Sequence, residues 1–171
     1  MKTLLAVATV GAALLTGGPV AAGDVHADAA LLATIEGIDV IVKDDVEGGC
    51  LFNADGIKAR LSAMLERSGI PVSDAGPWIL YAYFIGAPTS IEGRRAGCML
   101  GSTFQLTQRG PAKTWIVAGE GGNLTIGPDA RDSSAMRNAE TFADEVIAAI
   151  LAARRSVGSS VPDARVSGLR S

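Results

Sequence analysis

The first 22 residues constrain the fold of this chain most, because they are not expected to form part of the folded domain. A basic start at Met1 and Lys2 is followed by an apolar stretch over 4–15 and by small residues at 20–22. This order is typical of a secretory signal peptide, which is removed from the mature protein. We therefore expect a cleaved leader over 1–22 and a folding chain that begins at residue 23. Cleavage after Ala27 is the alternative site.

The leader is not expected to anchor the protein. Its apolar stretch is shorter than the roughly 20 residues that a spanning helix needs, and Gly17, Gly18 and Pro19 end it. No cysteine follows the small residues, so the sequence lacks the signal of a lipoprotein. The mature chain is thus predicted to have no membrane span and to be periplasmic or secreted.

Composition favours one acidic domain. Cleavage removes 22 of the 171 residues and leaves 149, a length that suits a single packed core. Loss of Lys2 leaves 14 basic residues against 18 acidic ones, a net charge of −4. No basic stripe runs along the sequence, so nothing predicts nucleic-acid binding. The arginine pairs at 94–95 and 154–155 are expected to be solvated.

The two cysteines are predicted to form a disulfide. In an exported protein an even cysteine count indicates a bridge, here between Cys50 and Cys98. Closing a loop of this length stabilises by about 4 kcal/mol in the chain-entropy model. The spacing is not that of a C-x-x-C redox motif, and two thiols without clustered histidines are too few ligands for structural zinc. No metal and no cofactor is predicted.

Periodicity predicts the elements of the first half. After a short lead-in at 31–35, residues 38–43 alternate as a half-buried strand does, and acidic and glycine residues over 44–49 are expected to end it. An apolar stripe at intervals of three and four then predicts a helix over 53–68, capped by Asn53.

The second half is predicted to hold three strands and a helix. The strands are expected at 78–85, at 99–108 and at 114–118 with a continuation at 123–126, while glycines and prolines at 86–88, 109–111 and 119–122 are expected to form turns. Alternation in the second of these strands places Cys98 and Phe104 on the core side. The last helix is expected over 132–155, followed by a disordered tail over 156–171.

These elements predict an α+β fold within one domain over 23–155. Their order is β-α-β-β-β-α, and consecutive strands with short links favour a mixed, mostly antiparallel sheet. Both helices are expected on one face of the sheet, which makes a two-layer sandwich.

Catalytic chemistry has little support in the sequence. The one histidine, His26, lies at the leader junction, so a Ser-His-Asp or Cys-His arrangement would have no base. Asp44 and Asp45 are adjacent and point to opposite sides of an extended chain. The glycines at 119–122 do not open a helix with a Lys-Ser/Thr pair, as a phosphate loop does. We therefore expect a protein that is not an enzyme.

The uncovered sheet face is the predicted contact surface. If both helices pack on the side of Val40, Leu100 and Phe104, the other side presents four candidates, Ile41, Tyr81, Tyr83 and Ile116. Clustered apolar and aromatic side chains on such a face indicate contact with another envelope protein or a second copy of the chain. The alternative is that a loop, the tail or the lead-in covers them.

A resemblance adds to this interpretation. The stretches GIDVIV at 37–42, RSGIPV at 67–72, LYAY at 80–83 and KTW at 113–115 resemble a group of small uncharacterised exported bacterial proteins. The element order is also similar, at the level of fold, to the amino-terminal domain of TolB and to periplasmic activators of peptidoglycan synthases. That likeness implies a non-enzymatic module that binds proteins in the periplasm.

A second function remains open. The chain would then be a carrier of small ligands or lipids in the periplasm, with an apolar cleft between the helices and the sheet. An enzyme ranks third, because the sequence offers neither a base nor a vicinal dithiol.

Overall fold

A computed structural model describes residues 24–48, 50, 53–74, 76–110, 115–127 and 132–159. The predicted leader at 1–22 lies outside the described residues. The described elements, in chain order, are β1 (Asp24–Val25), α1 (Ala29–Ala33), β2 (Ile38–Val46), α2 (Ala54–Arg67), β3 (Trp78–Ile91), β4 (Arg94–Arg109), β5 (Trp115–Gly127) and α3 (Asp132–Ser159).

The strands form one sheet in the order β1-β5-β4-β3-β2. Neighbours in β3, β4 and β5 are antiparallel, as is β1 against β5, and only β2 and β3 are parallel. The parallel pair follows from the chain between them, since α2 carries it back to the starting end of the sheet. The predicted α+β class and the mixed, mostly antiparallel sheet are confirmed.

Two amphipathic helices cover one face of this sheet. In α2 the buried side chains are Ile57, Leu61, Met64 and Leu65, the predicted stripe. The helix begins after Asn53, whose Oδ1 accepts a hydrogen bond from the Gly56 N–H at 2.8 Å, so the predicted cap is confirmed. In α3 the buried set is Ala135, Ala139, Phe142, Ala143, Val146, Ile147, Ile150 and Ala153.

Aromatic rings join α3 to the sheet. The Phe104 ring in β4 stacks on Phe142 of α3, with centroids 5.6 Å apart, and meets Phe84 of β3 edge-on at 5.7 Å. These offset and edge-on contacts add to the apolar burial of the core.

The strands are longer than predicted, because two glycine-containing stretches belong to strands. The expected turn at 86–88 lies inside β3, and the actual turn to β4 is at Glu92 and Gly93, both with positive φ. At Gly86 a Cβ would lie 3.1 Å from Val46 Cγ1 and 3.2 Å from the Met99 carbonyl oxygen. This glycine therefore permits close packing within the sheet rather than a reversal.

The predicted turn at 119–122 was also wrong, because these residues lie within the continuous strand β5. A Cβ on Gly122 would lie 3.0 Å from the Ser102 carbonyl oxygen, so the residue serves a close approach to β4. The prediction of a strand over 38–43 was also short, because β2 continues to Val46. Asp44 and Asp45 thus lie in the strand.

Two short elements at the start of the described chain were not predicted as such. The lead-in contains the helix α1, where Asp28 Oδ1 accepts a hydrogen bond from the Ala30 N–H at 2.8 Å. The strand β1 pairs with β5 through Asp24–Glu120 and Val25–Gly119. Neither element is long enough to produce a periodic pattern.

The predicted disulfide is present. Cys50 and Cys98 are bonded across 48 residues, with Cα atoms 6.0 Å apart. Both cysteines are buried on the helix-facing side, as the alternation in β4 predicted for Cys98. The bond ties the connection between β2 and α2 to the start of β4.

The last helix extends four residues beyond the predicted end at 155. Residues 156–159 of the expected tail are helical, and 160–171 lie outside the described residues. Arg154, expected to be solvated, is half-buried and donates from Nη2 to the Ile35 carbonyl oxygen at 2.5 Å and from Nη1 to the Gly69 carbonyl oxygen at 3.5 Å. It links α3 to the segments that follow α1 and α2.

Candidate functional site: the open sheet face and its edges

The face opposite the helices, called the open face below, is defined by strand register. In β3 the helix-facing side chains are Trp78, Leu80, Ala82 and Phe84, all in the core. The alternate residues Ile79, Tyr81, Tyr83 and Ile85 therefore face the other way. Register extends this side across the sheet to Asp39, Ile41, Lys43 and Asp45 in β2, to Gly101, Thr103, Gln105 and Thr107 in β4, and to Val117, Glu120, Gly122 and Leu124 in β5.

The open face is rich in exposed apolar side chains. Ile85 is 53% exposed, Leu124 61% and Ile126 63%. Met99 and Val117, at 40% and 45%, belong to the same side. Five of the seven large apolar side chains that are exposed among the described residues thus share one surface, which is more than scattered surface residues explain.

A shallow depression of about 500 Å³ lies at the end of the open face where β3 begins. Its lining residues are Ile41, Lys43, Ile79, Tyr81, Gln105, Thr107 and Val117. Ile79 and Thr107 form the floor, since they are only 1% and 5% exposed. The lining is mostly apolar, and its polar groups are the Lys43 ammonium, the Gln105 amide and the hydroxyls of Tyr81 and Thr107.

Charged side chains stand around this surface. Lys43 and Asp45 are exposed in β2 at one side of the sheet, and Glu120 is exposed in β5 at the other. An apolar centre with charged residues at its border is the usual composition of a protein contact surface.

The structure brings together three of the four residues that the sequence singled out. Ile41 and Tyr81 are direct neighbours in register, and Tyr83 follows two positions along β3. All three are half-buried on the open face. Ile116 pairs with Gln108, in the row that contains the core residue Trp78, and its side chain lies outside what the structure describes.

A bulge separates Ile116 from the depression. Register between β4 and β5 shifts at Leu106 and Thr107, where Ala118 is the extra residue. As a result Val117 pairs with Thr107 and lines the depression. Sequence alternation alone does not reveal such a shift, whereas the alternating Leu124 and Ile126 could have been included from their spacing.

The residues considered for catalysis are dispersed. Asp44 pairs with Phe84 on the helix-facing side and Asp45 with Ile85 on the open face. His26 follows β1, and its backbone N–H donates to the Ala118 carbonyl oxygen at 2.9 Å. Within the described ranges no three His, Cys, Asp or Glu side chains stand close enough to hold a metal ion.

The space between helices and sheet, where the sequence suggested a carrier's cleft, is occupied by core side chains. The stacked Phe104 and Phe142 lie there. On the outside of the helices, a groove between α2 and α3 is bridged by Arg60 Nε and Glu140 Oε1 at 2.5 Å. This pair is half-exposed, so it contributes little stability.

The two edges of the sheet differ. At the β2 edge, the Ile38 N–H donates to the Pro71 carbonyl oxygen and the Ser73 N–H to the Ile38 carbonyl oxygen, both at 3.0 Å. The rest of β2 contains the exposed charged residues Lys43, Asp44 and Asp45. At the other edge, among the residues that the structure describes, β1 pairs with Gly119 and Glu120 of the 13-residue β5 and with no other residue of that strand.

In the part of the chain that the structure describes, no helix is both long and apolar enough to cross a membrane.

Comparison with known proteins yields structural neighbours at low sequence identity. No protein-family profile and no curated protein matches the chain. The PelC dodecamer from Paraburkholderia phytofirmans is similar over 67% of this chain and 86% of its own, with 13% identity and a TM-score of 0.39. Rare lipoprotein B from Shewanella oneidensis is similar over 71% and 95%, with 13% identity and a TM-score of 0.27. The resemblance to TolB and the synthase activators stays a prediction.

Proposed function

We propose that this chain is an exported, non-enzymatic protein of the bacterial envelope, periplasmic or secreted, that acts by binding another envelope protein through its open face. The observation that carries the proposal is the cluster of exposed apolar side chains opposite the helices. Ile85, Met99 and Leu124 each expose 40% or more of their surface on that one side. An apolar patch of this kind on a folded domain is the usual mark of a contact surface.

The composition of the face supports a protein as its partner. Tyr81 and Tyr83 lie near its centre, half-buried and held by the neighbouring strands. Tyrosines with restricted rotamers supply contact area at low entropic cost, which is why they are enriched at protein interfaces. Aliphatic side chains around them can exclude water, and Lys43 and Glu120 at the border can orient the partner.

The placement of the polar residues supports a binding role without catalysis. Asp44 and Asp45 lie on opposite faces, and both cysteines are in the disulfide. His26 stands at the β1 end of the sheet, beside Ala118. These residues are thus dispersed over the described part of the chain and do not form one cluster.

Site-specific photo-crosslinking in the source cells tests the proposal. A photoreactive amino acid replaces Ile85 on the open face in one strain and Lys58, exposed on α2, in a control strain. We expect the first strain alone to yield a heavier adduct whose second component is another envelope protein. The same adduct from both positions, none from Ile85, or one made only of two copies of this chain would overturn the proposed partner.

Export is a separate part of the proposal and has its own measurement. The mass of the protein purified from its source cells should lack residues 1–22, or 1–27 if cleavage follows Ala27. Its cysteines should resist alkylation until a reductant is added. Protein that retains Met1 and two free thiols would contradict export.

The depression favours a second candidate, a carrier of small apolar ligands. Its volume of about 500 Å³ falls in the range of ligand sites, and Ile79 on its floor, together with Ile41 and Val117, gives it an apolar lining. A thermal-shift screen against envelope lipids and metabolites distinguishes the candidates, because a ligand that binds only the folded state raises the melting temperature. A shift that Ile79→Ser abolishes would favour the carrier.

A further inference from the structure

The outer edge of β5 is a long strand edge with a very short cover. β5 has 13 residues, and over the described chain, which starts at Asp24, β1 pairs with Gly119 and Glu120 alone. Among the described residues, none pairs with the outer side of 121–127. This stretch therefore offers a row of backbone groups in the position where a further strand would bond.

The direction of these groups follows from one carbonyl. The Ala118 oxygen points to the β1 side, where it accepts from the N–H groups of His26 and Ala27 at 2.9 and 3.1 Å. In an antiparallel ladder alternate residues direct both backbone groups to the same neighbour. Every second residue after Ala118 therefore directs its N–H and C=O groups outward. Beyond Glu120 these residues are Gly122, Leu124 and Ile126.

Nothing in this stretch blocks pairing. Residues 121–127 include no charged residue and no proline. At the opposite edge of the sheet β2 carries Lys43, Asp44 and Asp45, all exposed. Charged residues on an edge are a usual means of preventing the addition of a strand, so only the β5 edge lacks this protection along the described part of the sheet.

The stretch is also complementary to itself. In an antiparallel pair centred on Leu124, that residue lies opposite Leu124 of a second copy, and Gly122 lies opposite Ile126. A glycine opposite isoleucine leaves room for the larger side chain. Gly122 also leaves no space for a side chain of its own, because a Cβ there would lie 3.0 Å from the Ser102 carbonyl oxygen. The pairing forms about six backbone hydrogen bonds. The two Glu120 residues are then about 26 Å apart, so they do not repel at physiological salt.

We propose that a second copy of this chain pairs with β5 along residues 122–126, antiparallel and centred on Leu124. The two sheets become one, and because directly opposed residues share a face, the two open faces lie on the same side. In one copy Leu124 is 61% exposed and Ile126 is 63% exposed. In the pair, Leu124 of each copy lies opposite Leu124 and diagonal to Ile126 of the other copy, so these side chains cover one another. This inference does not depend on the proposed partner of the open face.

Charge substitution at the centre of the pair provides the test. The full mature chain, from residue 23, is compared as wild type, Leu124→Lys and Leu124→Glu by sedimentation at rising concentration. Wild type should change from the mass of one chain to that of two. Either variant should dissociate at least about tenfold more readily, because like charges face each other directly. An equal mixture of the two variants should regain the dimer.

Two controls distinguish edge pairing from loss of the fold and from nonspecific association. Ile91→Lys adds the same charge at a side chain that is 68% exposed but lies at the turn end of β3, and it should leave the dimer unchanged. Recovery in the mixture requires that both variants fold. A wild type that stays at one chain's mass, variants that dimerise as wild type does, or a mixture without recovery would each overturn the proposal.

Discussion

Residues of β3 alternate between two environments that differ in what they contribute. Leu80, Ala82 and Phe84 are buried to 1% exposure or less beneath α2 and α3, whereas Ile85, on the opposite side, is 53% exposed. The helix-facing side, called the closed side below, is thus covered by side chains of the same chain. The open face holds side chains of similar polarity without such partners. One face of this sheet therefore determines stability, and the other is available for contacts.

The largest expected effect lies on the closed side. Phe104→Ala removes a ring that contacts both Phe84 and Phe142, and should lower the free energy of unfolding by about 3–5 kcal/mol. Denaturant titration followed by circular dichroism measures the loss. A cost below about 1 kcal/mol would mean that the closed side is not the packed core described here.

The disulfide should have the next largest effect, because it secures the closed side. Replacing Cys50 and Cys98 together by serine should cost about 2–4 kcal/mol, since the unfolded chain is no longer restrained. The comparison is with wild type under non-reducing conditions. Reduced wild type serves as the control and should match the double variant, and a difference between them would assign the loss to the serine hydroxyls instead.

Ile79 can break the simple division between faces. It belongs to the open face by register but is 1% exposed on the floor of the depression. Ile79→Ala should cost about 2 kcal/mol, the low end for buried aliphatic residues, because the depression beside it is not sealed. The melting temperature gives the readout. An effect under about 0.5 kcal/mol would place Ile79 with the exposed residues.

The smallest effect on stability is expected at Ile85. Ile85→Ser exposes no new cavity and should change the free energy of unfolding by less than about 0.5 kcal/mol. Recovery of the photo-crosslinked partner, with the photoreactive group then placed at Met99 on the open face, should nevertheless fall. Thr141→Ser, exposed on α3, is the matched control and should change neither quantity.

Much of the closed side could be predicted because its residues obey simple periods. The alternation at 38–43 and the stripe of α2 identify the core faces of β2 and α2, and the even cysteine count in an exported chain predicts the disulfide. These signals are local or compositional. They require no knowledge of which strand lies beside which.

The features that could not be predicted from the sequence depend on residues that are neighbours in space but distant in the chain. Gly86 and Gly122 resemble turn residues in sequence, whereas in the sheet they permit a close approach to Met99 and Ser102. The bulge at Ala118 shifts the alternation in β5, so that Val117 reaches the depression. The open face could be expected once both helices were placed on one side, and Ile85 and Met99 already lie within the strands predicted at 78–85 and 99–108.

The position of α3 at the end of the described chain has a consequence for biogenesis. Because a polypeptide leaves the ribosome and crosses a membrane from its amino end, all five strands emerge before the helix that covers Phe104. During that interval the open face and the part of the helix-facing side that α3 covers are both bare, and such intermediates are prone to aggregate. A chain truncated before residue 132 would remain in this vulnerable state, so chaperone demand should be highest until α3 has emerged.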